Sequence, residues 1–327
     1  MLLKRLLLAL MSLVIGVAGC EVAARIFWQA PWYERLLDEQ QKSEVHTYRR
    51  NRFNLRDEEY GHAKAPGQQR ILMLGDSFTF GLGVPDDAEI FPEILERSLN
   101  ANRPPSAPAG TEIMNAGLPG SLTDAWLETF DVVADEFDPD LVLIVFFLRD
   151  GTRTASVPEF FDRIRDDIAK KNRRSRLYQV SYLYRLYREA TDRNNVASLY
   201  TERFQASYLG ADHQTSEWRN AQANLLALRE RARSRSMSFG FVIFPVLVEL
   251  NEPYPFQQIV DLITRFAIDH DFPVYDLLPD FMGRFAPNLW VSSLDQHPNP
   301  RAHALVAEQL EPFVRDLLST SDASADR

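Results

Sequence analysis

The sequence predicts an α/β chain: a mainly parallel sheet of five strands, covered by helices on both faces and broken once by a helical insertion. Three observations predict it. Short apolar segments that suit strands alternate with segments whose apolar residues recur every three or four positions, from residue 70 to residue 318. That alternation closes a parallel sheet between helical layers. The run from Asp140 to Leu148 is almost wholly apolar, as a central parallel strand must be because both of its faces are covered. Between Asp150 and Ser238 the alternation stops, and a polar stretch rich in Arg and Tyr takes its place.

The start of the chain stands apart from this fold. Lys4 and Arg5 precede an apolar run from Leu6 to Val17, a basic head and apolar core that mark an export signal or anchor over residues 1–27. Two endings fit. Val17-Ala18-Gly19-Cys20 resembles a bacterial lipoprotein box, with Cys20 lipidated after cleavage. Alternatively the helix continues uncleaved from Glu21 to Phe27, with Glu21 and Arg25 at the outer interface. The apolar core before Cys20 is short for a span, which needs about 20 residues. Either ending holds the body at a membrane through its N-terminus, facing the periplasm or cell exterior; the plain alternative leaves Cys20 an ordinary helical residue.

Residues 28–69 form a polar lead. Its early aromatics, Trp28, Trp32 and Tyr33, suit a membrane interface or simple packing on the domain. The stretch Asn51 to Asp57 reads as ordered, with Asn54 suited to a left-handed turn. The domain then runs over 70–318. Residues 70–75 are the first strand, ending in Gly75-Asp76-Ser77. Residues 88–100 are a helix with Pro92 in its first turn, and 103–108 a Pro-rich loop. Glu112 to Ala116 is a strand ending at Gly117, 122–136 a helix, and 140–148 the central strand.

The insertion, residues 151–238, holds Lys170, Lys171, Arg173, Arg174, Arg176, Tyr178, Tyr182, Tyr184, Arg185, Tyr187 and Arg188. It fits a cap that selects an anionic or sugar-like ligand, or a face for anionic lipid. The reading preferred here is a solvated helical hairpin whose tyrosines pack on the sheet, since charge runs are usually solvated faces. Beyond it, Gly240 to Leu247 is apolar, and Pro245 ends the regular strand at Phe244. A helix over 256–269, a short fifth strand over 273–278 and a last helix over 301–318 follow. Residues 319–327 read as a disordered tail.

Composition narrows the function. A net charge of −10 argues against nucleic acid as a partner, since phosphate binding needs a cationic face. With Cys20 alone, no disulfide framework forms within the chain. The histidines, at 46, 62, 213, 270, 297 and 303, show no metal-ligand spacing, so no metal and no cofactor is expected. Gly81 and Gly83 read as a turn, a G-x-G without the third glycine of a phosphate cradle. His303 reads as a helical residue packing against the loop before it.

Gly75-Asp76-Ser77 places a hydroxyl at the carboxyl end of a buried strand, where open α/β sheets bind ligands. Serine needs a base and a carboxylate to become a nucleophile. Asp295-Gln296-His297-Pro298-Asn299 supplies both, and Pro298 and Asn299 favour a tight turn that joins them. The competing readings are that Ser77 only caps the helix after the strand, and that Asp295 and His297 form a capping turn.

These blocks resemble those of the SGNH (GDSL-type) hydrolases: Gly75-Asp76-Ser77 after a strand, Asn115 and Gly120 after the next, Asp150 after the central strand, and Asp295-x-His297-Pro298-Asn299. The likeness covers about residues 48–317. Asn51 to Asp57, and Phe78 to Val84, resemble a membrane-anchored bacterial branch of that family. The resemblance implies a three-layer α/β/α, flavodoxin-like fold and hydrolysis or transfer of acyl groups, often acetyl, on carbohydrate or lipid.

It implies Ser77 as nucleophile, His297 as base and Asp295 as its orienter. The oxyanion donors would be the backbone N–H groups of Ser77 and Gly120 and an Asn side chain. At the last position this chain has Arg149, whose guanidinium can donate to the oxyanion, pair with Asp150 or bind an acidic substrate. The expectation is an extracytoplasmic serine esterase acting on a small-molecule or glycan ester. The alternatives are an O-acyltransferase with the same triad and a non-catalytic glycan-binding or assembly protein. Protein partners are not indicated.

Overall fold

The computed structural model of the chain describes residues 2–31, 34–35, 48–61, 63–101, 110–153, 157–210 and 215–325. Trp32, Tyr33, the Pro-rich loop at 103–108 and the last two residues of the expected tail lie outside them. The chain forms two units, one of Met1–Glu39 with Ser156–Glu202, the other of Gln40–Ala155 with Arg203–Arg327.

The second unit holds the sheet. Its strands are β1 (Gln69–Gly75), β2 (Thr111–Gly117), β3 (Leu141–Phe147), β4 (Ser238–Phe244) and β5 (Val274–Asp276), in the order β2-β1-β3-β4-β5. Every pairing is parallel. β3 sits at the centre with all seven residues buried, which accounts for its unbroken apolar sequence. β5 is shorter than its sequence segment and only half-buried, as an edge strand can be.

Helices cover both faces. One layer packs α3 (Phe91–Asn100) against α11 (Pro300–Ala325), where Phe313 meets Tyr275 of β5. The other packs α4 (Thr123–Phe137), α8 (Ser216–Ser234) and α9 (Gln257–Asp269). Here Trp126 and Trp218 meet the edge of Phe146, and Trp218 meets Phe266. The three-layer expectation holds. α3 starts after a short 3₁₀ turn at Asp87–Glu89, because Ile90 is extended ahead of Pro92. α11 runs past Leu318, where a disordered tail was expected: residues 319–325 hold no Gly or Pro to stop a helix already nucleated.

Two details position the site. Gly75 of β1 lies in register with Gly117 of β2 and Val145 of β3, so the loops leaving these strands share one rim. The free edge of β2 is closed by side chains. Asn100 accepts from the Thr111 N–H at 3.0 Å, Glu96 from Ile113 at 2.6 Å and Asp57 from Asn115 at 2.6 Å. A sheet edge closed this way cannot pair with another chain. Burial, joined by the nearby acids, pushes the Glu96 carboxyl up to about 7. Burial likewise pushes Asp57 up to about 8 against the hydrogen bonds it accepts.

The first unit is helical. α1 (Leu2–Phe27) is apolar, with a mean hydropathy of 2.3 over a stretch of which none is buried. α5 (Val157–Arg174) and the first part of α7 (Tyr182–Leu209) share an apolar contact of Ile164, Ile168, Ala169, Val196 and Tyr200, with the short α6 (Arg176–Val180) between them. Tyrosines of the insertion stack within this unit. Tyr182 meets Trp28 edge-on and lies under the guanidinium groups of Arg25 and Arg185, and Tyr184 meets Tyr187. A tyrosine ring beside an arginine is well served by cation–π contact.

Candidate active site

The nucleophile block begins where β1 stops. A one-turn helix, α2 (Ser77–Phe80), follows at once, and Asp76 caps it by accepting from the Phe78 N–H at 2.8 Å. The cap is therefore Asp76 rather than Ser77, and the Ser77 hydroxyl lies 3.3 Å from Asp76 Oδ2, to which it can donate. Gly81 ends the turn at φ 76°, a left-handed position suited to glycine. β2 comes so close that a Cβ on Gly117 would stand 2.3 Å from the Phe80 nitrogen.

The loop after α2 is tied to the polar lead. Buried Arg56 donates to the carbonyls of Phe80 at 3.2 Å, Gly81 at 2.7 Å and Val84 at 2.7 Å, and pairs with Asp87 at 2.7 Å. Asn51 shapes the lead itself by accepting from Phe53 and Leu55, while Asn54 takes the expected left-handed conformation at φ 62°.

The second block is a tight loop. Ser292 Oγ accepts from the N–H groups of Leu294 and Asp295, and Val291 N–H donates to the His297 carbonyl at 2.9 Å. Asn299 ties its end to Asn288 and Trp290 and caps α11 at Ala302. Within it, Asp295 Oδ1 lies 2.6 Å from His297 Nδ1 and accepts from the His297 N–H at 3.1 Å. The other ring nitrogen, Nε2, lies 3.0 Å from Ser77 Oγ. Both contacts are satisfied with the proton on Nδ1, which leaves Nε2 to accept from the hydroxyl.

Burial works to raise the Asp295 carboxyl, but the hydrogen bonds and charge of His297 outweigh it and hold it below its usual range. The Phe78 ring lies 5.5 Å from the imidazole and stacks on Phe147 at 3.9 Å, an apolar wall behind the base. His303 stands outside this relay. It is fully buried, accepts from the Phe91 N–H at 3.1 Å, and burial, then Arg56 and His297, lower it to about 3, so it stays neutral.

Two turns face this pair from the neighbouring strands. After β2, Leu118-Pro119-Gly120-Ser121 closes with Ser121 N–H on the Leu118 carbonyl at 3.0 Å, and Gly120 has φ 76°. Pro then Gly at the central positions is the pattern of a type II turn. Leu118 N–H and Ser121 Oγ both donate to the Gly75 carbonyl, fixing the turn two residues before Ser77.

After β3, a 3₁₀ turn covers Leu148–Gly151. Tyr208 braces it, donating to the Leu148 carbonyl and accepting from the Gly151 N–H at 3.1 Å. Arg149 does not pair with Asp150. Its Nη2 reaches Asp76 Oδ2 at 3.3 Å, and Asp76 adjoins Ser77. Burial, then the Asp76 charge, raise the Asp150 carboxyl well above its usual range, and it accepts from the Phe147 N–H at 2.9 Å. Cys20 lies exposed on α1, in the other unit. Among the described residues, no three of His, Cys, Asp and Glu come together as metal ligands do.

Residues 73–305 match the sequence model of the GDSL-like Lipase/Acylhydrolase family. The chain belongs to this family. It is a serine hydrolase of ester bonds. Among solved structures it is similar to the esterase EstA from Pseudoalteromonas sp., with 16% identity over 77% of this chain and 99% of that one and a TM-score of 0.45. It is also similar to TesA, with 14% identity over 76% and 99% and a TM-score of 0.47. A third is a catalytic mutant of Axe2, an acetylxylan esterase from Geobacillus stearothermophilus, with 14% identity over 75% and 94% and a TM-score of 0.45. No curated protein matches the chain.

Sequence reasoning missed three residues of this GDSL-like site. Arg56 and Asp57, noted as part of an ordered stretch and of the family resemblance but given no role, hold the loop after Ser77 and the edge of β2. Asp76 was read as part of a motif, but it caps α2 and receives Arg149. A signal existed for the first two: Arg-Asp in an otherwise unexplained ordered lead.

Proposed function

We propose that this hydrolase is an extracytoplasmic serine esterase, held at a membrane through its N-terminus, that removes acyl groups, acetyl foremost, from carbohydrate or lipid esters. The observation that carries the reading is the chain of contacts from Asp295 through His297 to Ser77, at 2.6 Å and 3.0 Å. Ser77 Oγ attacks the acyl carbonyl while its proton passes to His297 Nε2. Asp295, held ionised, stabilises the imidazolium that forms. The tetrahedral oxyanion is met by the N–H groups of Ser77 and Gly120 and by the Arg149 guanidinium. Collapse returns the proton to the leaving alcohol. A water, deprotonated by the same imidazole, then attacks the acyl-serine; the acid leaves and Ser77 regains its proton.

Arg149 suits the third donor position because its guanidinium carries five N–H donors and, among the described residues, its hydrogen bond in the site is a single Nη2 contact to Asp76. The tether is α1 itself, or a lipid on Cys20 after cleavage. The mass of the chain extracted from membranes separates the two.

The test is a serine-directed fluorophosphonate. It labels the wild type, Ser77→Ala abolishes the labelling, and acetyl-ester turnover falls by on the order of 10⁴–10⁶-fold. A folded wild-type chain that resists the probe favours a non-catalytic binding protein. Acyl transfer to an added glycan, rather than release of the free acid, identifies an acyltransferase.

A further inference from the structure

The helical unit carries a surface that ester hydrolysis does not use. Across the end of α5 and the start of α6 the sequence Lys170-Lys171-Asn172-Arg173-Arg174-Ser175-Arg176 holds five basic residues and no acid. Lys171, Arg173, Arg174 and Arg176 are exposed and have no acidic partner among the described residues. Directly after them, α6 exposes two apolar side chains, Leu177 at 59% and Val180 at 66%. Exposed apolar groups beside an unpaired basic run call for a partner with an apolar interior and an anionic face.

The position of this surface along α1 says which partner. Glu21 of α1 accepts from Ser181 Oγ at 2.8 Å and from the first N–H groups of α7, Tyr182 at 2.6 Å and Leu183 at 3.0 Å. These amides have no partner within the helix, so Glu21 is the cap that docks α7 on α1. Ala24 is buried on the same side, and Trp28 meets Tyr182 one turn further on. Ser181 follows Val180 directly, so α6 is held at the level of Glu21.

That level is the outer boundary of a membrane. The apolar run from Leu6 to Cys20 spans only about 22 Å as a helix, less than the ~30 Å of a hydrocarbon core. Counted from Leu2, where α1 begins, about 20 residues of helix cover that core and reach Glu21, so the boundary of a spanning α1 falls beside Glu21. With α1 cleaved and Cys20 lipidated, the acyl chains enter the bilayer one residue before Glu21, and the level is the same. Trp28 and Tyr182, stacked with Arg25 and Arg185, are the residue types found at such a boundary.

We infer that α6 and the basic run before it form a foot that lies in the headgroup region of an anionic phospholipid bilayer. Leu177 and Val180 enter the acyl boundary, and Lys171, Arg173, Arg174 and Arg176 meet lipid phosphates. Each basic residue near such a surface strengthens the attraction about fivefold. The inference rests on the membrane attachment proposed above.

The experiment reconstitutes the full chain, carrying Cys20→Ser and Val180→Cys, into vesicles of phosphatidylcholine alone or mixed with phosphatidylglycerol. Cysteine 180 carries a polarity-sensitive fluorophore, and Leu177→Cys provides a second site. In the mixed vesicles the emission shifts to the blue, is shielded from iodide, and is quenched by lipid bearing a nitroxide near the headgroup. Changing all four basic residues to Gln removes the difference between the two vesicle types, while ester turnover stays unchanged. A vesicle-bound chain whose label remains open to iodide in both lipids overturns the foot and leaves the attachment standing. So does shielding that depends on protein concentration, which identifies a second copy as the occupant. A chain recovered from cells as a soluble form, cut after the leader and without lipid, overturns the attachment and the foot together.

Discussion

Ser77 stands between two flanks that are built in different ways. On the His297 side, side chain meets side chain: one carboxylate, one imidazole, one hydroxyl, over two short contacts. On the other side nothing is so direct. The Gly120 turn hangs from the Gly75 carbonyl, and the Arg149 turn is braced by Tyr208 and by the Asp150 carboxyl on the Phe147 N–H. Beneath both, Arg56, Asp57 and Glu96 hold backbone rather than substrate. On the function proposed above, the base flank concentrates its function in single groups, whereas the oxyanion flank spreads it over the scaffold. Single substitutions should therefore silence the first and only weaken the second.

The largest effect belongs to the base flank. His297→Ala should lower kcat by on the order of 10⁴–10⁶-fold, close to the loss for Ser77→Ala, and the double variant should lose little more, because the two act as one unit. Asp295→Asn should cost about 10⁴-fold, since an amide can hold the ring in the wrong tautomer. Steady-state rates on an acetyl ester decide this. A loss below about tenfold for His297→Ala would remove the base from the mechanism.

Arg149 is the middle case. Removing one oxyanion donor costs about 10²–10³-fold in kcat, so Arg149→Ala should fall in that range with KM little changed. Arg149→Asn, which restores a neutral donor at the position, should recover part of the loss. A change in KM alone would mean that the guanidinium binds an acidic group of the substrate instead. Thermal melts of the same variants check the partner left behind, because Asp76 is fully buried and loses the Arg149 guanidinium.

What was legible in the sequence follows the same division. Ser77, Asp295 and His297 could be read because each sits beside residues that fix its local shape: the end of an apolar strand for one, and Pro298 with Asn299 for the others. Gly120 entered through the family resemblance, and the structure puts it in a Pro-Gly turn. The strands and most helices were legible from apolar period alone.

The contacts that could not be read join groups far apart in the chain. Arg149 reaches Asp76 over 73 positions, and Glu21 caps α7 across 161 and 162. Arg56 binds backbone carbonyls 24 to 28 residues away. A carbonyl has no sequence identity, so no spacing marks it as a partner. The partners of the insertion's tyrosines could not be read for a related reason: an aromatic ring signals burial but not against what.

The smallest expected effect tests whether the oxyanion flank is truly scaffold-borne. Glu96 and Asp57 both titrate higher in the fold than their ordinary values of 4.5 and 3.8, at about 7 and about 8. A raised carboxyl pKa means that the folded chain binds the proton more tightly than the unfolded one. The stability it contributes is full below the unfolded value and is lost as pH rises through the folded one. Warming the protein at about pH 5.5 and again at about pH 8.5 should therefore show Tm falling by about 2–4 °C per kcal/mol lost. Glu96→Gln and Asp57→Asn keep an acceptor for the N–H groups of Ile113 and Asn115 but cannot titrate, so each should flatten part of that slope. Asp295 shifts the opposite way and stays ionised across this range, so its Asn variant should leave the slope alone. A wild-type Tm equal at both pH values, or a slope that both β2-edge variants keep, would mean that these carboxyls are ionised in the fold and that the rim is held by something else.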